Sequence, residues 1–172
     1  MHTKFFFILF MLLTSSVTFS QQITINQKET KVTFVFLDQD VRGELRDFMF
    51  TGNIDLAAIE TSTLSGTVAT ETLDTNNWLR SRHLRSKKYF HAKAHPTLSF
   101  KSNTIQSIDG GFRVSGSLTI KGITKDVVWD FSINESSLEG TTSINTQDYS
   151  INIYDERERN NVNIEIVFPY TK

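Results

Sequence analysis

The chain has 172 residues, with 18 Lys and Arg, 19 Asp and Glu, and a formal net charge of −1. This length fits a single domain, and the near-neutral charge argues against a protein whose function depends on binding a polyanion. The chain has no cysteine, which excludes disulfides, thiol nucleophiles and cysteine metal ligands. Its fourteen phenylalanines are a high count: five lie in an N-terminal leader, and all but Phe90 of the other nine lie in predicted strands.

The first 20 residues have the layout of a secretory signal peptide. Met1–Lys4 carries one cation, Phe5–Leu13 is an unbroken apolar run, and Thr14–Ser20 is mostly small and polar. Nine apolar residues are fewer than the roughly 20 that a membrane-spanning helix needs, although an uncleaved anchor is the alternative. We therefore expect residues 1–20 to be removed on export, and residues 21–172 to form a periplasmic or secreted domain.

Most of the remaining chain alternates apolar and polar residues, which is typical of strands with one buried face. The clearest segments are residues 32–36, 64–70, 112–120, 127–133 and 162–168. Within Val41–Leu56 the apolar positions change phase, which predicts a bend or bulge near Arg46-Asp47. Leu98 and Phe100 begin another strand, and Ile144, Ile151 and Ile153 mark a further pair or one long bent strand.

Short turns and one helical insertion connect these strands. Asp109-Gly110-Gly111 predicts a hairpin, and Lys121-Gly122 and Glu139-Gly140 fit short connections. Asp74–His95 is predicted to be a short helix plus a loop, with Asp74 or Thr75 as the cap. The gaps are too short for crossover helices, so the strands should be antiparallel. About eight such strands predict an all-β barrel or sandwich, and an eight-stranded barrel has room for side chains or one small ligand.

Four motifs in the mature chain resemble those of the YceI-like proteins. They are Phe34-Val-Phe36 with Gly43 and Phe48-x-Phe50-x-Gly52-x-Ile54; Thr75-Asn76 with Arg80-Ser-Arg-His83-Leu84-Arg-Ser-x-x-Tyr89-Phe90 and His95-Pro96-x-Leu98-x-Phe100-x-Ser102; Gly116-x-Leu118-Thr-Ile-x-Gly122-x-Thr124-Lys125; and Leu138-Glu-Gly140 through Asp148-Tyr149-x-Ile151 with Val162-x-Ile164-x-Ile166. The chain departs from the family at Ser81, where an acid is usual, at Leu37-Asp38, where a histidine often ends the strand, and at Gln147, where a base is frequent.

The resemblance implies an eight-stranded antiparallel, lipocalin-like barrel with one short helical insertion. It also implies export and the binding of a long apolar chain, an isoprenoid or fatty amphiphile, in the bore, without catalysis. The predicted bore residues are Phe34, Phe36, Phe48, Phe50, Trp78, Phe90, Phe100, Phe112, Leu118, Trp129, Phe131, Ile164 and Phe168. From the residues alone, a filled core is the competing interpretation. Burying ten methylenes contributes roughly 8 kcal/mol to binding. The loss of freedom on association opposes binding by several kcal/mol, so tight binding needs a long chain.

A basic stretch supplies candidates for the ligand's head group. Seven cations and no acid lie between Asp74 and Asp109. Arg80, Arg82, His83 and Arg85 are the candidates to hold a phosphate or carboxylate at the mouth of the bore. A solvated surface and a transient contact with an anionic membrane are the alternatives. Nucleic acid is not expected, because the net charge of residues 21–172 is −2.

Catalytic and metal-binding patterns are weak in this sequence. His91 and His95 have the i,i+4 spacing of two metal ligands, but Pro96 follows and there is no HExxH motif. We predict no cofactor, no metal and no enzymatic activity. Two other classes stay open, namely a barrel enzyme that uses these histidines or His83, and a stress-response or interaction protein with a packed core that acts through its basic face. The oligomeric state is also open, with a homodimer among the alternatives.

Overall fold

The computed structural model describes residues 20–172, and the leader prediction falls on residues 1–19, which lie outside them. The described strands are β1 Gln22–Ile25, β2 Lys31–Phe36, β3 Val41–Leu45, β4 Met49–Asp55, β5 Thr63–Ala69, β6 Thr97–Ile108, β7 Gly111–Ile120, β8 Ile123–Ile133, β9 Ser137–Asn145 and β10 Asn161–Thr171. One α-helix, α1, covers Trp78–Arg85. Within residues 20–172, no helix is long and apolar enough to cross a membrane.

The strands form a closed antiparallel barrel. From β4 to β10, each strand pairs with the next. The last strand, β10, also pairs with β2 along Val162–Val167 and with β1 at Tyr170–Thr171. Because β1 pairs with β4 while β2 pairs with β3, β1/β2 and β3/β4 each act as one interrupted strand. The result is an eight-membered barrel, and the predicted fold class is confirmed.

The interruption between β3 and β4 explains the change of phase seen in the sequence. Asp47 lies in the gap with a φ of 56°, in the left-handed region that few non-glycine residues adopt. This conformation turns the chain so that Leu45 and Phe48 both point into the barrel. In an unbroken strand, two residues three positions apart would face opposite sides. The predicted bend at Arg46-Asp47 is therefore confirmed. The four-residue β1 was not predicted, because only Ile23 and Ile25 carry its alternation.

Two of the three predicted turns are confirmed. Asp109-Gly110 joins β6 to β7, and Lys121-Gly122 joins β7 to β8 with φ values of 53° and 77°. Positive φ at both central residues is the geometry of a type I′ hairpin. The predicted connection at Glu139-Gly140 is wrong, because both residues lie inside β9 and the turn occupies residues 134–136. Ile151 and Ile153 belong to no strand.

The predicted helix is confirmed, but its predicted cap is wrong. The side chain of Asn77 accepts a hydrogen bond from the Arg80 amide at 3.0 Å and so caps α1. Asp74 instead accepts hydrogen bonds from the Asn76 amide and the Ser81 hydroxyl. Its backbone also pairs with Glu44 at the edge of β3. Asp74 therefore connects the helix to the barrel rather than capping the helix.

Phenylalanine rings pack over glycines of neighbouring strands throughout the barrel. Phe34 pairs directly with Gly43, and Phe131 pairs directly with Gly140. In the same way, Phe100 covers Gly116, and Phe48 covers Gly66. A Cβ atom at any of these four glycines would overlap the ring above it. Small residues thus leave room for the large rings that fill the interior.

This packing predicts that Gly140→Ala destabilises the barrel. The new methyl would overlap Phe131, whose ring is stacked between Phe112 and Phe168 and has little freedom to move. We expect a loss of about 1–3 kcal/mol in the free energy of unfolding, measured by urea denaturation. Thr141→Ala, on the exposed face of the same strand, is the control. An additional Phe131→Leu substitution should recover part of the lost stability. If the two substitutions instead changed the free energy of unfolding additively, direct contact between residues 131 and 140 would be contradicted.

Candidate functional site

An apolar cavity of about 90 Å³ lies inside the barrel. Seven of the predicted bore residues line it, namely Phe48, Phe100, Leu118, Trp129, Phe131, Ile164 and Phe168. Its surface is almost entirely apolar. The cavity is smaller than the roughly 150 Å³ space that admits a benzene molecule. In this structure it has room for a few carbon atoms.

The other predicted bore residues lie elsewhere. Phe34, Phe36, Phe90 and Phe112 are buried in the core but do not border the cavity. Phe50 is half-buried, with its ring 6.1 Å from that of Phe168. The list of candidates also omitted several aliphatic residues that border the cavity: Val32, Leu45, Leu64, Val68, Leu98, Ile120 and Ile166. Their alternation was visible in the sequence, but the prediction favoured aromatic residues.

The prediction that Trp78 lines the bore is wrong. Its side chain is 70% exposed. Because Asn77 caps the helix, Trp78 occupies the first helical position and points to solvent, whereas Ser81 and Leu84 are buried. Leu79, beside it, is 66% exposed. The outer face of α1 therefore carries two large apolar side chains.

Stacked aromatic rings fill one end of the bore. Phe112 lies 4.9 Å from Phe131 with almost parallel rings, and Phe131 lies 5.9 Å from Phe168. Phe48 joins this stack, 5.2 Å from Phe168. Phe112 is the second residue of β7, so the stack lies at the end of the barrel where β7 starts. At the opposite end of β7, Lys121 reaches the carbonyl of Lys88, just beyond α1. The part of the bore that the stack leaves free therefore lies towards the helix.

A surface groove lies beside the two strand interruptions. It is lined by residues 27–32 and 44–48 with Val167 and Pro169, and it shares Val32, Leu45 and Phe48 with the internal cavity. Three cations and three acids line the groove: Lys28, Lys31, Arg46, Glu29, Glu44 and Asp47. These six side chains together carry no net charge.

A further pocket of about 130 Å³ lies between α1 and the barrel. Its apolar lining comes from Phe36, Val41, Leu84 and Ile153, and its polar lining from Arg80, His83, Tyr89 and Tyr154. The pocket shares no lining residue with the cavity in the bore. Two of the four head-group candidates, Arg80 and His83, thus come together on one amphipathic pocket at the helix.

The arginines of α1 differ in their partners. Arg80 donates hydrogen bonds to the hydroxyl and carbonyl oxygens of Thr75 at 2.9 and 2.8 Å. Arg85 donates to the carbonyl of Leu73 at 3.0 Å and lies outside the pocket. Arg82 is exposed, and its guanidinium lies 5.5 Å from the centre of the Trp78 ring. The structure therefore separates Arg82 and Arg85 from the other two candidates.

A hydrogen-bond network centred on Ser81 holds the helix in place. The Ser81 hydroxyl accepts from the Thr75 amide at 2.9 Å and lies 3.1 Å from the Asp74 carboxylate. Donation by Ser81 is the largest cause that lowers the pKa of Asp74, and the Asn76 amide adds to it. Ser81, at the position where the family usually has an acid, thus stabilises an ionised acid nearby.

The histidines near the helix show no metal-binding arrangement. The rings of His91 and His95 lie 5.7 Å apart, edge to face. His83 contacts Tyr89 in the same way, with ring centres 5.0 Å apart. No group of three or more His, Asp or Glu side chains with metal-binding geometry is found among residues 20–172.

Sequence comparisons identify relatives with the same motifs. A family model described as the YceI-like domain matches residues 23–169. A UPF0312 protein of Ectopseudomonas mendocina is 32% identical over 120 residues, which cover 63% of this chain and 63% of that protein. A UPF0312 protein of Azotobacter vinelandii is 33% identical over 87 residues, covering 50% and 45%. The chain thus matches about half to two-thirds of the length of these curated relatives.

Solved structures share the fold. BcnA of Burkholderia cenocepacia superposes with a TM-score of 0.74 at 20% identity, covering 87% of this chain and 100% of that chain. The Campylobacter jejuni YceI protein gives 0.68 at 23% identity, covering 77% and 85%. A polyisoprenoid binding domain from Saccharophagus degradans, implicated in plant cell wall breakdown, gives 0.55 at 14% identity, covering 86% and 97%. The closed barrel, the ordered motifs and the match over residues 23–169 together show that this chain belongs to the YceI-like domain family.

Proposed function

We propose that this barrel binds a long apolar chain, an isoprenoid or fatty amphiphile, inside its bore. The observation that carries the proposal is the apolar cavity enclosed by Phe100, Trp129, Ile164 and their neighbours. Membership of the YceI-like family supports it, as does the shared fold with a polyisoprenoid binding domain. We propose binding without chemical conversion of the ligand.

The size of the cavity sets a condition on this function. A space of about 90 Å³ does not hold a long chain, so aromatic side chains must rotate or shift when the ligand enters. Burial of ten methylenes contributes roughly 8 kcal/mol, which is available to offset that rearrangement. The narrow bore also favours a second candidate function, an interaction protein with a packed core that acts through its basic face.

Dependence of affinity on chain length separates the two functions. If the bore holds the chain, each added methylene should tighten binding by about fourfold until the bore is full. The Trp78→Phe variant leaves Trp129 as the only tryptophan, so its fluorescence reports events inside the barrel. Titration with saturated fatty acids of increasing length, and with prenols from farnesol upwards, gives the affinities. Binding that is absent, or independent of length, would favour the packed-core function.

The buried position of Trp129 predicts the effect of placing a charge there. Trp129→Asp would leave a carboxylate unpaired in an apolar cavity, at a cost of several kcal/mol. We expect the variant to unfold, or to melt at a much lower temperature and bind no ligand. Val128→Asp is the matched control, since Val128 precedes it in β8 and is 49% exposed. Circular dichroism measures the melting temperatures. Equal melting temperatures for the two variants would contradict the assigned orientation of β8.

We further propose that the ligand's head group lies at α1, where Arg80 and His83 line the small pocket. The competing position is the groove, whose cations include Lys31. A ligand that used both the bore and the helix pocket would have to join two spaces that are separate in this structure. Its polar end would then lie beside the guanidinium of Arg80, which suits an anionic group.

A comparison of charged and neutral ligands with the same tail tests the head-group position. Arg80→Gln with His83→Gln should weaken binding of a fatty acid by about tenfold, the scale of one charge-assisted hydrogen bond, and leave the matching fatty alcohol unchanged. Lys31→Gln should affect neither ligand. If Lys31→Gln weakened fatty-acid binding and the double variant did not, the head group would instead be assigned to the groove. Melting temperatures check that loss of the Arg80–Thr75 hydrogen bonds has not loosened the helix.

We also propose that the protein is exported, with residues 1–20 removed. The order of the cationic, apolar and small polar segments in residues 1–20 supports this proposal. The absence of cysteine is compatible with a compartment that oxidises thiols, because folding then needs no control of disulfide pairing. The N-terminal residue of the protein recovered from the periplasmic and secreted fractions tests both export and the cleavage position.

A further inference from the structure

The outer face of α1 carries the most exposed pair of large apolar side chains in the described part of the chain. Trp78 and Leu79 are adjacent and are 70% and 66% exposed. Neither borders the bore cavity or the helix pocket. Their hydration is unfavourable in the isolated protein, so the pair is expected to gain free energy when another phase or molecule covers it.

Exposed cations follow this apolar pair along the chain. Arg82 lies over the Trp78 ring, and Lys87 and Lys88 are exposed directly after the helix. The basic stretch that includes them contains no acid from residue 75 to residue 108. We call Trp78, Leu79, Arg82, Lys87 and Lys88 the α1 face. This face combines a tryptophan, an aliphatic side chain and three exposed cations.

The helix is fastened firmly enough to present this face in one orientation. Arg85 donates to the carbonyls of Leu73 and Glu71 from the barrel side of the helix. Lys121 donates to the carbonyl of Lys88 and to that of Ser150 at 2.9 Å. These hydrogen bonds hold the C-terminal end of the segment, and those that join Ser81 and Arg80 to Thr75 hold its N-terminal part. The α1 face therefore moves with the barrel.

We propose that the α1 face docks the barrel onto an anionic membrane surface. Tryptophan favours the interface between headgroups and acyl chains, where its ring is partly buried and its N–H stays hydrated. Basic side chains close to the bilayer are attracted by anionic lipids. In the docked state Trp78 and Leu79 insert at headgroup level, while Arg82, Lys87 and Lys88 contact lipid phosphates.

The composition of the face favours a membrane over other partners. Two apolar side chains are too few for a stable protein interface, which buries roughly 800 Å² on each partner. A nucleic acid is bound mainly through many phosphate contacts, and the three exposed cations of this face are few for that purpose. A membrane requires only a small inserted wedge with nearby positive charge. Both are present on α1.

Docking through this face would bring the helix pocket to the lipid. Arg80 and His83 lie on the same helix as Trp78 and Leu79. If the proposed chain-binding function holds, a ligand could pass between the membrane and the barrel at this end. Membrane docking does not depend on that function, and it is measured separately from it.

Co-sedimentation with lipid vesicles tests the docking. The protein should bind vesicles of phosphatidylcholine with phosphatidylglycerol, and bind pure phosphatidylcholine at least about tenfold more weakly. The variant Trp78→Ser/Leu79→Ser should lose about tenfold or more in affinity for the anionic vesicles. Because both positions are exposed, this variant should keep the melting temperature and the soluble fatty-acid binding of the unaltered protein. Arg82→Gln/Lys87→Gln/Lys88→Gln should remove the preference for anionic lipid and the sensitivity to salt.

A matched control uses exposed apolar residues away from the helix. Met49 and Val128 are 63% and 49% exposed on the barrel wall, and Met49→Ser/Val128→Ser should bind vesicles as the unaltered protein does. Failure of the unaltered protein to bind anionic vesicles at low salt would overturn the proposal. Equal binding by the Trp78→Ser/Leu79→Ser variant would overturn it too, because adhesion would then be electrostatic only. Soluble fatty-acid binding in the same samples shows whether the bore function stands or fails independently.

Discussion

The packing of phenylalanine rings over glycines is the constraint on which the rest of this barrel depends. An eight-stranded barrel is narrow, and a neighbouring residue without a Cβ atom leaves space in it for a large ring. Phe34 opposite Gly43 and Phe131 opposite Gly140 satisfy this condition at two places in the wall. The rings replace the cover that the glycines lack, and they keep the strands from exposing bare backbone. The interior is therefore held by aromatic contact, without disulfides.

The same packing limits what the bore can hold. Because the stack from Phe112 through Phe131 to Phe168 fills one end, free space remains only in the middle and towards the helix. A long ligand must compete with these rings for volume. The proposed binding would therefore exchange stacking between the protein's own side chains for contact with a bound chain. Affinity should depend on how readily partly exposed rings, such as half-buried Phe48, give way.

The helix has two faces with different tasks. Its inner face is fixed by Ser81, which connects Thr75 and Asp74, and by Leu84, which is buried. Because the carboxylate of Asp74 is stabilised by the hydrogen bond from Ser81, its pKa is lowered and it stays ionised in the range where most proteins function. The outer face, with Trp78 and Leu79, is thereby held away from the barrel. A residue that sequence patterning assigned to the interior is in this way available to a partner outside it.

The sequence by itself determined the antiparallel all-β class, the bend at Arg46-Asp47 and the hairpins at Asp109-Gly110 and Lys121-Gly122. These features follow from period-two alternation and from local backbone conformation, which neighbouring residues encode. The tertiary structure decided which inward side chains border free space, since alternation gives the face of a strand but not the distance across a bore. It also decided the direction of Trp78 and the partners of Arg80 and Arg85. Those depend on where Asn77 starts the helix and on contacts between residues that only the closed barrel brings together.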